Sequence, residues 1–440
     1  MTMNAERPET GFALNPQDEL NDLRMSDKAL PLYKKVKQFI REVGEPADAE
    51  FHRLGEGRGP DIWQFAPGQL EVLEAAKDKA KAQGLWNFFL PNAKTGEGLS
   101  NLDYTYIAVE LGKNRLTSEI MNCAAPDTGN MEVLERVGTP EQKEKWLKPL
   151  LEGKIRSAYC MTELNTASSD AKNIDTRAVR VGDEYIITGE KHYISGAGDP
   201  RCKVMITMVR TGEENAPPHL RQSQILVPLP CEGVEIVQGQ QVFGDPHAPH
   251  GHMHIRFNNA RVPASNMLLG EGRGFEISQL RLGPGRIHHC MRAIGLAEKA
   301  LDLMVQRGMS RVAFGKPIIQ LGGNPEKVSR ARIEIEAMRL MVLKAAKAMD
   351  VLGNREARVW IHMVKAMVPE RVCLIIDQAI QMHGALGLSQ HTPLAQMYAS
   401  ARHLRIADGP DEVHHMVVGR NELQQLRAEA DASLAAVFRN

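Results

Sequence analysis

A carboxylate held on a rigid turn can remove a proton, and the stretch Leu404 to His415, LRIADGPDEVHH, offers one at Asp408. Gly409 and Pro410 turn the backbone sharply after it. On its own letters this Asp-Gly-Pro reads equally as an exposed turn or as an N-cap for the segment that follows. Four more stretches could carry chemistry. Ala158–Asp170, AYCMTELNTASSD, is dense in hydroxyls and backbone amides that can wrap a polar ring; it also reads as an interdomain linker. Lys191–Gly198, KHYISGAG, places an aromatic and a small hydroxyl on a strand that meets glycines. Gly283–Arg286, GPGR, precedes His288-His289, and Arg311-x-x-Phe314-Gly315-Lys316 comes later. Arginines at helix ends suit phosphate oxygens or complement the helix dipole. Gln381–Gly387, QMHGALG, has glycines that permit close backbone approach or cap a helix.

The pairs His288-His289 and His414-His415 do not make a metal site. Adjacent residues on a helix point about 100° apart, and no H-E-x-x-H occurs. Glu271-Gly272-Arg273-Gly274 lacks the dinucleotide-binding pattern.

The elements that must position these residues follow from hydrophobic period. Residues 1–27 carry no apolar period and read as weakly ordered. The mixed three-and-four spacing of Leu30, Tyr33, Val36, Phe39, Ile40 and Val43 predicts a helix from Lys28, ended by Gly44 and Pro46. Residues 50–66 read as a loop. Further helices are expected over 67–83, 101–113 and 139–152, the last opened by Thr139 with Pro140 at its first position. Residues 28–155 are thus an all-helical unit. The period then shortens. Residues 176–181, 185–189, 203–209, 223–229 and 252–257 are strand-like, so 156–270 reads as a β sandwich or barrel. From 271 to 440 helical period returns. Ile335, Met338, Val342, Ala345 and Met349 form the seam of a bundle helix, and Pro369 predicts a kink or break in another. The class is α+β.

Composition excludes little and points nowhere unusual. The 440 residues are 43% hydrophobic and 25% charged, with formal net charge zero. Bulk charge gives no support for nucleic-acid binding. No apolar run is long enough to span a bilayer. Six widely spaced cysteines fit a reducing compartment, and the polar N-terminus resembles no targeting signal. The cytoplasm is the expected location.

Taken together and in order, AYCMTELNTASSD, GEKHYISGAG, GEGRGFE, RVAFGK, QMHGALG and ADGPDEVH resemble the acyl-CoA dehydrogenase family. The details GRGFEISQLRLGPGRIHHCMR and LRIADGPDEVH are similar to the subgroup of family members 10 and 11, without the kinase-like region that precedes the dehydrogenase there. The resemblance implies FAD between the β unit and the C-terminal bundle. Tyr159, Met161, Thr162 and one of Ser168 or Ser169 would line it. Tyr193, Ile194 and Ser195 would lie near its ring, with Tyr193 where the family commonly has tryptophan. Arg311, Phe314, Gln381, Met382, His383, Gly384 and Ala385 would approach the flavin of a neighbouring subunit. Pro410, Asp411 and Glu412 stand at the positions of further cofactor contacts. Ser169, Gly283, Gly285, Arg286 and Gly409 would border the acyl-CoA. The family keeps its base at one of two places, here Gly285, which cannot serve, and Asp408, where glutamate is usual.

The implied reaction is α,β-dehydrogenation of an acyl-CoA thioester. Asp408 would take the α-proton and the flavin the β-hydride, with donors on the thioester oxygen stabilising the developing charge. The resemblance further implies a homotetramer or dimer, an electron-transfer flavoprotein as acceptor and, from the subgroup, a 4-phosphorylated acyl-CoA made by a separate kinase during 4-hydroxy acid breakdown. That last expectation requires extra basic groups around the acyl pocket. An oxygen-reactive oxidase or monooxygenase, and a DNA-binding flavoprotein, are the alternatives within the same fold.

Overall fold

The computed structural model describes residues 19–437. Residues 1–18, where most of the expected weakly ordered N-terminus falls, lie outside them. Residues 19–27 are tied down rather than loose. Tyr106 Oη donates to Leu23 O at 2.6 Å, and Ser26 gives its N–H and Oγ–H to the two oxygens of Asp103 at 2.8 and 2.7 Å.

The first helical unit contains α1 (Ala29–Phe39), α2 (Glu45–Gly55), α3 (Gln69–Ala82), α4 (Asn101–Leu111) and α5 (Asp127–Val137). Gly44 and Pro46 do not end the first helix. A π-turn over Ile40–Gly44 carries the chain directly into α2. Proline has no N–H to give, and the π-turn, whose last bond runs from Glu45 N to Ile40 O, takes up the change in register where that donor is missing. Gly44 serves packing instead: a Cβ there would lie 2.8 Å from Thr117 Cγ2. The expected loop therefore begins only at residue 56. α5 escaped the sequence reading because eight of its eleven residues, polar ones included, are buried, which erases the amphipathic period. The 139–152 segment is capped as expected. Thr139 Oγ1 accepts from Gln142 N, and Gln142 Oε1 accepts from Thr139 N, a reciprocal capping box.

The β unit is one curled seven-stranded sheet: β1 (Arg156–Cys160), β2 (Arg177–Val181), β3 (Glu184–Ser195), β4 (Cys202–Arg210), β5 (Gln222–Pro228), β6 (Val234–Gln240) and β7 (His252–Pro263). The order is β1-β4-β2-β3-β7-β6, with β5 also on β4. β1 and β4 run parallel, while β3 pairs antiparallel with β7. β1 and β6 were not anticipated; β6 is an exposed edge strand with few apolar residues.

The C-terminal bundle holds α6 (Gly274–Ser310), α7 (Asn324–Glu356), α8 (Arg358–His383), α9 (Leu394–Leu404) and α10 (Asp411–Val437). The expected seam on α7 is buried throughout. Pro369 does not break α8, and the GPGR arginine sits inside α6, not at a helix end. Helices of the first unit and of the bundle share one hydrophobic core. They meet where α4 ends against α6: a Cβ on Gly295 would lie 2.0 Å from Val109 O, and one on Gly112 2.1 Å from Arg292 O. Glycine at both places lets the two backbones touch. The helical, sheet, helical plan expected from period is the plan observed.

Candidate active site

Asp408 sits on the turn between α9 and α10 in the left-handed region, φ +56°, followed by Gly409 at φ +106°. A non-glycine residue there is held by its surroundings, and four groups do the holding. Lys365 of α8, fully buried, donates to Leu404 O and Gly409 O. Arg286 Nε donates to Asp408 O at 2.9 Å. His414 Nε2 reaches Gly409 O at 3.0 Å, and Arg405 pairs with Asp411 across the turn at 2.6 Å. A Cβ at Gly409 would stand 3.2 Å from His414 Nε2, so only glycine fits both the dihedral and the space. Among the described residues, no hydrogen bond takes up the Asp408 N–H.

The carboxylate projects onto one face of α6. Its Oδ2 is 3.4 Å from His289 Nε2, and Oδ1 is 3.7 Å from Arg281 Nη1. A Cβ on Gly285 would lie 3.4 Å from Oδ2. Arg281, Gly285, His289 and Arg292 follow each other at helical spacing on that face. Arg292 Nη2 lies 3.3 Å from His289 Nδ1, so His289 accepts there and keeps Nε2–H for Asp408. Burial keeps that imidazole below its usual pKa, against the pull of Asp408. Burial also pushes the Asp408 carboxyl upward, but the His289 hydrogen bond and the Arg281 and Arg286 charges outweigh it and hold the group well below the ordinary carboxylate range. Arg281 is itself fixed. Its guanidinium lies 3.9 Å over the Tyr159 ring and its Nε donates to Asn130 Oδ1 at 3.3 Å. His288, one residue along, is buried with neither ring nitrogen bonded, and its ring lies edge-on to Tyr104 at 4.9 Å.

The hydroxyl-rich stretch is organised around a buried ion pair. Lys191 Nζ donates to Glu163 Oε1 at 2.8 Å and to Met161 O at 3.0 Å, and Glu163 accepts from Asp175 N and Thr176 N. Ser168 is buried, its Oγ accepting from Glu163 N at 2.8 Å, whereas Ser169 is exposed. Of the two serines only Ser169 has its side chain turned outward. His192 N donates to Thr162 O at 2.9 Å, which sets Thr162 beside Tyr193 and Ser195. A bulge between Lys191 and Ile194 puts Tyr193 at φ +60°, the re-aiming that such a bulge provides. Its ring lies near-parallel to His252, 5.3 Å away, and to His403 of α9, 6.3 Å away, and the two imidazoles are 5.0 Å from each other, so the three rings form one cluster. His403 thus links the sheet to the Asp408 turn. Ile194 points into the sheet core, so any ligand contact from it is through its backbone.

The other expected residues lie apart. Arg311 follows α6, and Phe314 is 94% exposed in the turn after it; Arg311 is roughly 37 Å of helix beyond Arg286. Gln381, Gly384 and Ala385 are exposed at the end of α8, roughly 27 Å of helix from Lys365. Met382 is in the helical core and His383 Nδ1 bonds its own Ala379 O. Both sets are too remote to serve the Asp408 of their own chain. Gly283 faces Asn354 and Ile361, Pro410 is half-buried and Glu412 exposed. Asp411 gives Oδ2 to Arg405, which braces the turn, while its buried Oδ1 has no partner. Reading motifs missed Arg281, Arg292 and Lys365, and weighed His289 only as a metal ligand. Arg281, His289 and Arg292 stood at helical spacing about Gly285 and could have been found together; Lys365, inside an apolar helix, gave no signal.

Sequence profiles described as the N-terminal, middle and C-terminal domains of acyl-CoA dehydrogenase match residues 27–154, 158–259 and 272–423. The chain belongs to the acyl-CoA dehydrogenase family, whose members are FAD-containing oxidoreductases. It is 49% identical to acyl-CoA dehydrogenase family member 10 of Mus musculus over 94% of this chain and 38% of that protein, and 46% identical to member 11 of the same organism over 96% and 56%. The chain therefore spans about half or less of the length of these relatives. It is 47% identical to a Mycobacterium tuberculosis protein named probable acyl-CoA dehydrogenase FadE2, over 94% of this chain and all of that one. The solved butyryl-CoA dehydrogenase of Megasphaera elsdenii superposes with a TM-score of 0.74 at 26% identity, over 91% of this chain and 100% of that one.

Glu132 of α5 supplies a prediction. It is buried, with one oxygen unbonded and Arg136 3.6 Å away. Burial pushes its pKa up to about 8, against the charges of Arg136 and Arg281. The folded state then binds more protons than the unfolded one between the ordinary glutamate value and about 8, so stability falls as pH rises through that window. Glu132→Gln removes the penalty. In denaturant titrations it should match the parent near pH 4.5 and exceed it at pH 8 by on the order of 2–4 kcal/mol.

Proposed function

We propose that this chain dehydrogenates an acyl-CoA between its α and β carbons, with Asp408 as the base. The observation that carries the reading is the Asp408 carboxylate, ionised, largely buried and fixed over the glycine face of α6. The residues fit a flavin. Thr162, Ser169 and Ser195 offer hydroxyls and Tyr193 a flat ring, with Tyr193 set against the Asp408 turn through His403 and Thr162 tied to the same strand by the His192 N–H. When bound, FAD supplies the hydride acceptor. The protein's own part is binding, orientation and the proton. Asp408 Oδ2 takes the α-proton. The Asp408 N–H is available to the thioester oxygen, where charge develops. Arg286 and Lys365 keep the turn from yielding. A carboxylate held so low is a weak base, and desolvation by the acyl chain raises it toward useful strength. Mixing the FAD-loaded protein with acyl-CoA without oxygen and watching the flavin bleach tests this directly.

The same face supports a finer reading, a 4-phosphorylated acyl-CoA formed by a kinase during 4-hydroxy acid breakdown. Arg281, His289 and Arg292 gather basic and hydrogen-bonding groups on the face of α6 that meets the base, and guanidinium groups suit phosphate oxygens. The phosphorylated substrate should be turned over with kcat/KM at least about 10²-fold above the plain acyl-CoA, a difference of about 2.7 kcal/mol; equal values would remove this refinement. An electron-transfer flavoprotein as acceptor and a dimer or tetramer complete the reading. The distance of Arg311, Phe314 and Gln381–Ala385 from their own Asp408, and the exposure of all but Met382 and His383, support their meeting a neighbouring subunit's flavin.

A further inference from the structure

A chain of hydrogen bonds leads away from the flat face at Tyr193. Ser195 lies opposite His252 in the β3–β7 register, and its Oγ is 2.8 Å from His252 Nδ1. His252 Nε2 is 2.9 Å from His247 Nδ1. His247 Nε2, buried and unbonded, faces Asp245 Oδ2 at 4.0 Å. The chain is rigid. His252 is 4% exposed. His247 is pinned at φ +52° by its N–H on Asp245 Oδ1 at 2.8 Å and by Gly251 N on its carbonyl at 2.9 Å. Asp245 stands at the open end, its side chain 22% exposed.

We propose that Ser195, His252, His247 and Asp245 form a proton relay between the flavin face of the sheet and solvent. It rests on the reading that a flavin ring lies against Tyr193–Ser195. Returning two electrons to an acceptor releases one proton from a reduced flavin, and a ring sealed from water needs a route for it. Ser195 Oγ takes that proton as its own hydroxyl proton passes to His252 Nδ1. His252 then gives its Nε2 proton to His247 Nδ1, and His247 gives its Nε2 proton to Asp245, which releases it to water. One proton enters and one leaves, the electrons go to the acceptor, and each imidazole exchanges one tautomer for the other without gaining charge. The groups that face the relay are compatible with neutral rings. His252 meets Tyr193 from β3, His403 from α9 and His250 from its own loop; His247 meets Asp245 and the charge of Arg115. Burial, reinforced by neighbouring imidazoles, holds His252 far down, to about 2.

Two measurements on the full FAD-loaded chain test the relay. In the first, the flavin is reduced with dithionite, so that no acyl-CoA is involved, then mixed with ferrocenium in H2O and in D2O. His252→Gln and His247→Gln should slow reoxidation about tenfold or more and enlarge the solvent isotope effect; Asp245→Asn should slow it less. Equal FAD content and melting temperature certify that the variants fold. The second is ¹⁵N NMR of the histidine rings in parent protein with and without FAD. His252 should be neutral with its proton on Nε2, and His247 neutral with Nδ1 accepting. Reoxidation within about twofold of the parent, or a doubly protonated His252 at neutral pH, would overturn the relay. A protein that takes up no FAD would instead overturn the reading beneath it.

Discussion

Asp408→Asn is expected to bind FAD and fold as the parent does, yet lose reduction of its flavin by acyl-CoA by about 10³–10⁴-fold. The amide is nearly isosteric, and its oxygen can still accept from His289 Nε2. Arg286 grips the backbone oxygen of residue 408, not the side chain, so the turn keeps its hold. What goes is the charge that receives the proton. Rapid mixing under anaerobic conditions reads the loss, and the flavin spectrum certifies the site. Retention of full activity would remove Asp408 as the base. The pH dependence separates this assignment from one in which Asp408 merely braces the turn. Its pKa in the free protein is held far below the ordinary aspartate value by His289, Arg281 and Arg286, against the upward push of burial. The acid limb of kcat/KM should therefore fall below the usual carboxylate range. The depression also contributes stability that is present above about 3.9, the unfolded aspartate value, and is lost as pH falls through the lower folded value.

The architecture was legible because period survives wherever an element has one wet face. The α7 seam, the Thr139 N-cap with Pro140 after it and the strand-like runs of β2 and β3 on either side of their turn all announced themselves. α5 did not, since burial on all sides leaves no period to read. Gly44 and Pro46 misled for a different reason. Both punctuate helices in general, but here a π-turn absorbs the proline and Thr117 demands the glycine. The position of Asp408 in a whole-chain pattern singled it out as the candidate base, while the groups that set its environment come from elsewhere. His289 is far away in sequence on α6, and Lys365 looks like an interruption in an apolar stretch until Leu404 O and Gly409 O are seen above it. Long-range hydrogen bonds leave no trace in local spacing. The choice between Ser168 and Ser169 was likewise undecidable from letters, because only the bond to Glu163 N turns one of them inward.

The second large effect comes from moving the base. A Cβ at residue 285 would lie 3.4 Å from Asp408 Oδ2 and meets nothing else within 4 Å. A carboxylate grown from α6 there can reach the space that Asp408 now fills. Gly285→Glu alone places two carboxylates in one site. Like charges so close cannot both stay ionised without raising one pKa strongly, and the acyl channel loses volume, so activity should drop about 10²-fold. Asp408→Gly alone removes the base at little conformational cost, since φ +56° is a dihedral glycine adopts freely; its rate should be at least about 10³-fold down. Combining the two vacates the turn and supplies the helix. The double variant should regain about 10-fold or more over Asp408→Gly, while Gly285→Gln in the same background regains nothing. Replacing an interior helix glycine also favours folding by roughly 0.5–1 kcal/mol, which a thermal melt would register. The cycle is read by anaerobic flavin reduction in all five proteins. A double variant no faster than Asp408→Gly would mean that the two positions, though adjacent in space, do not present a carboxylate to the same α-hydrogen.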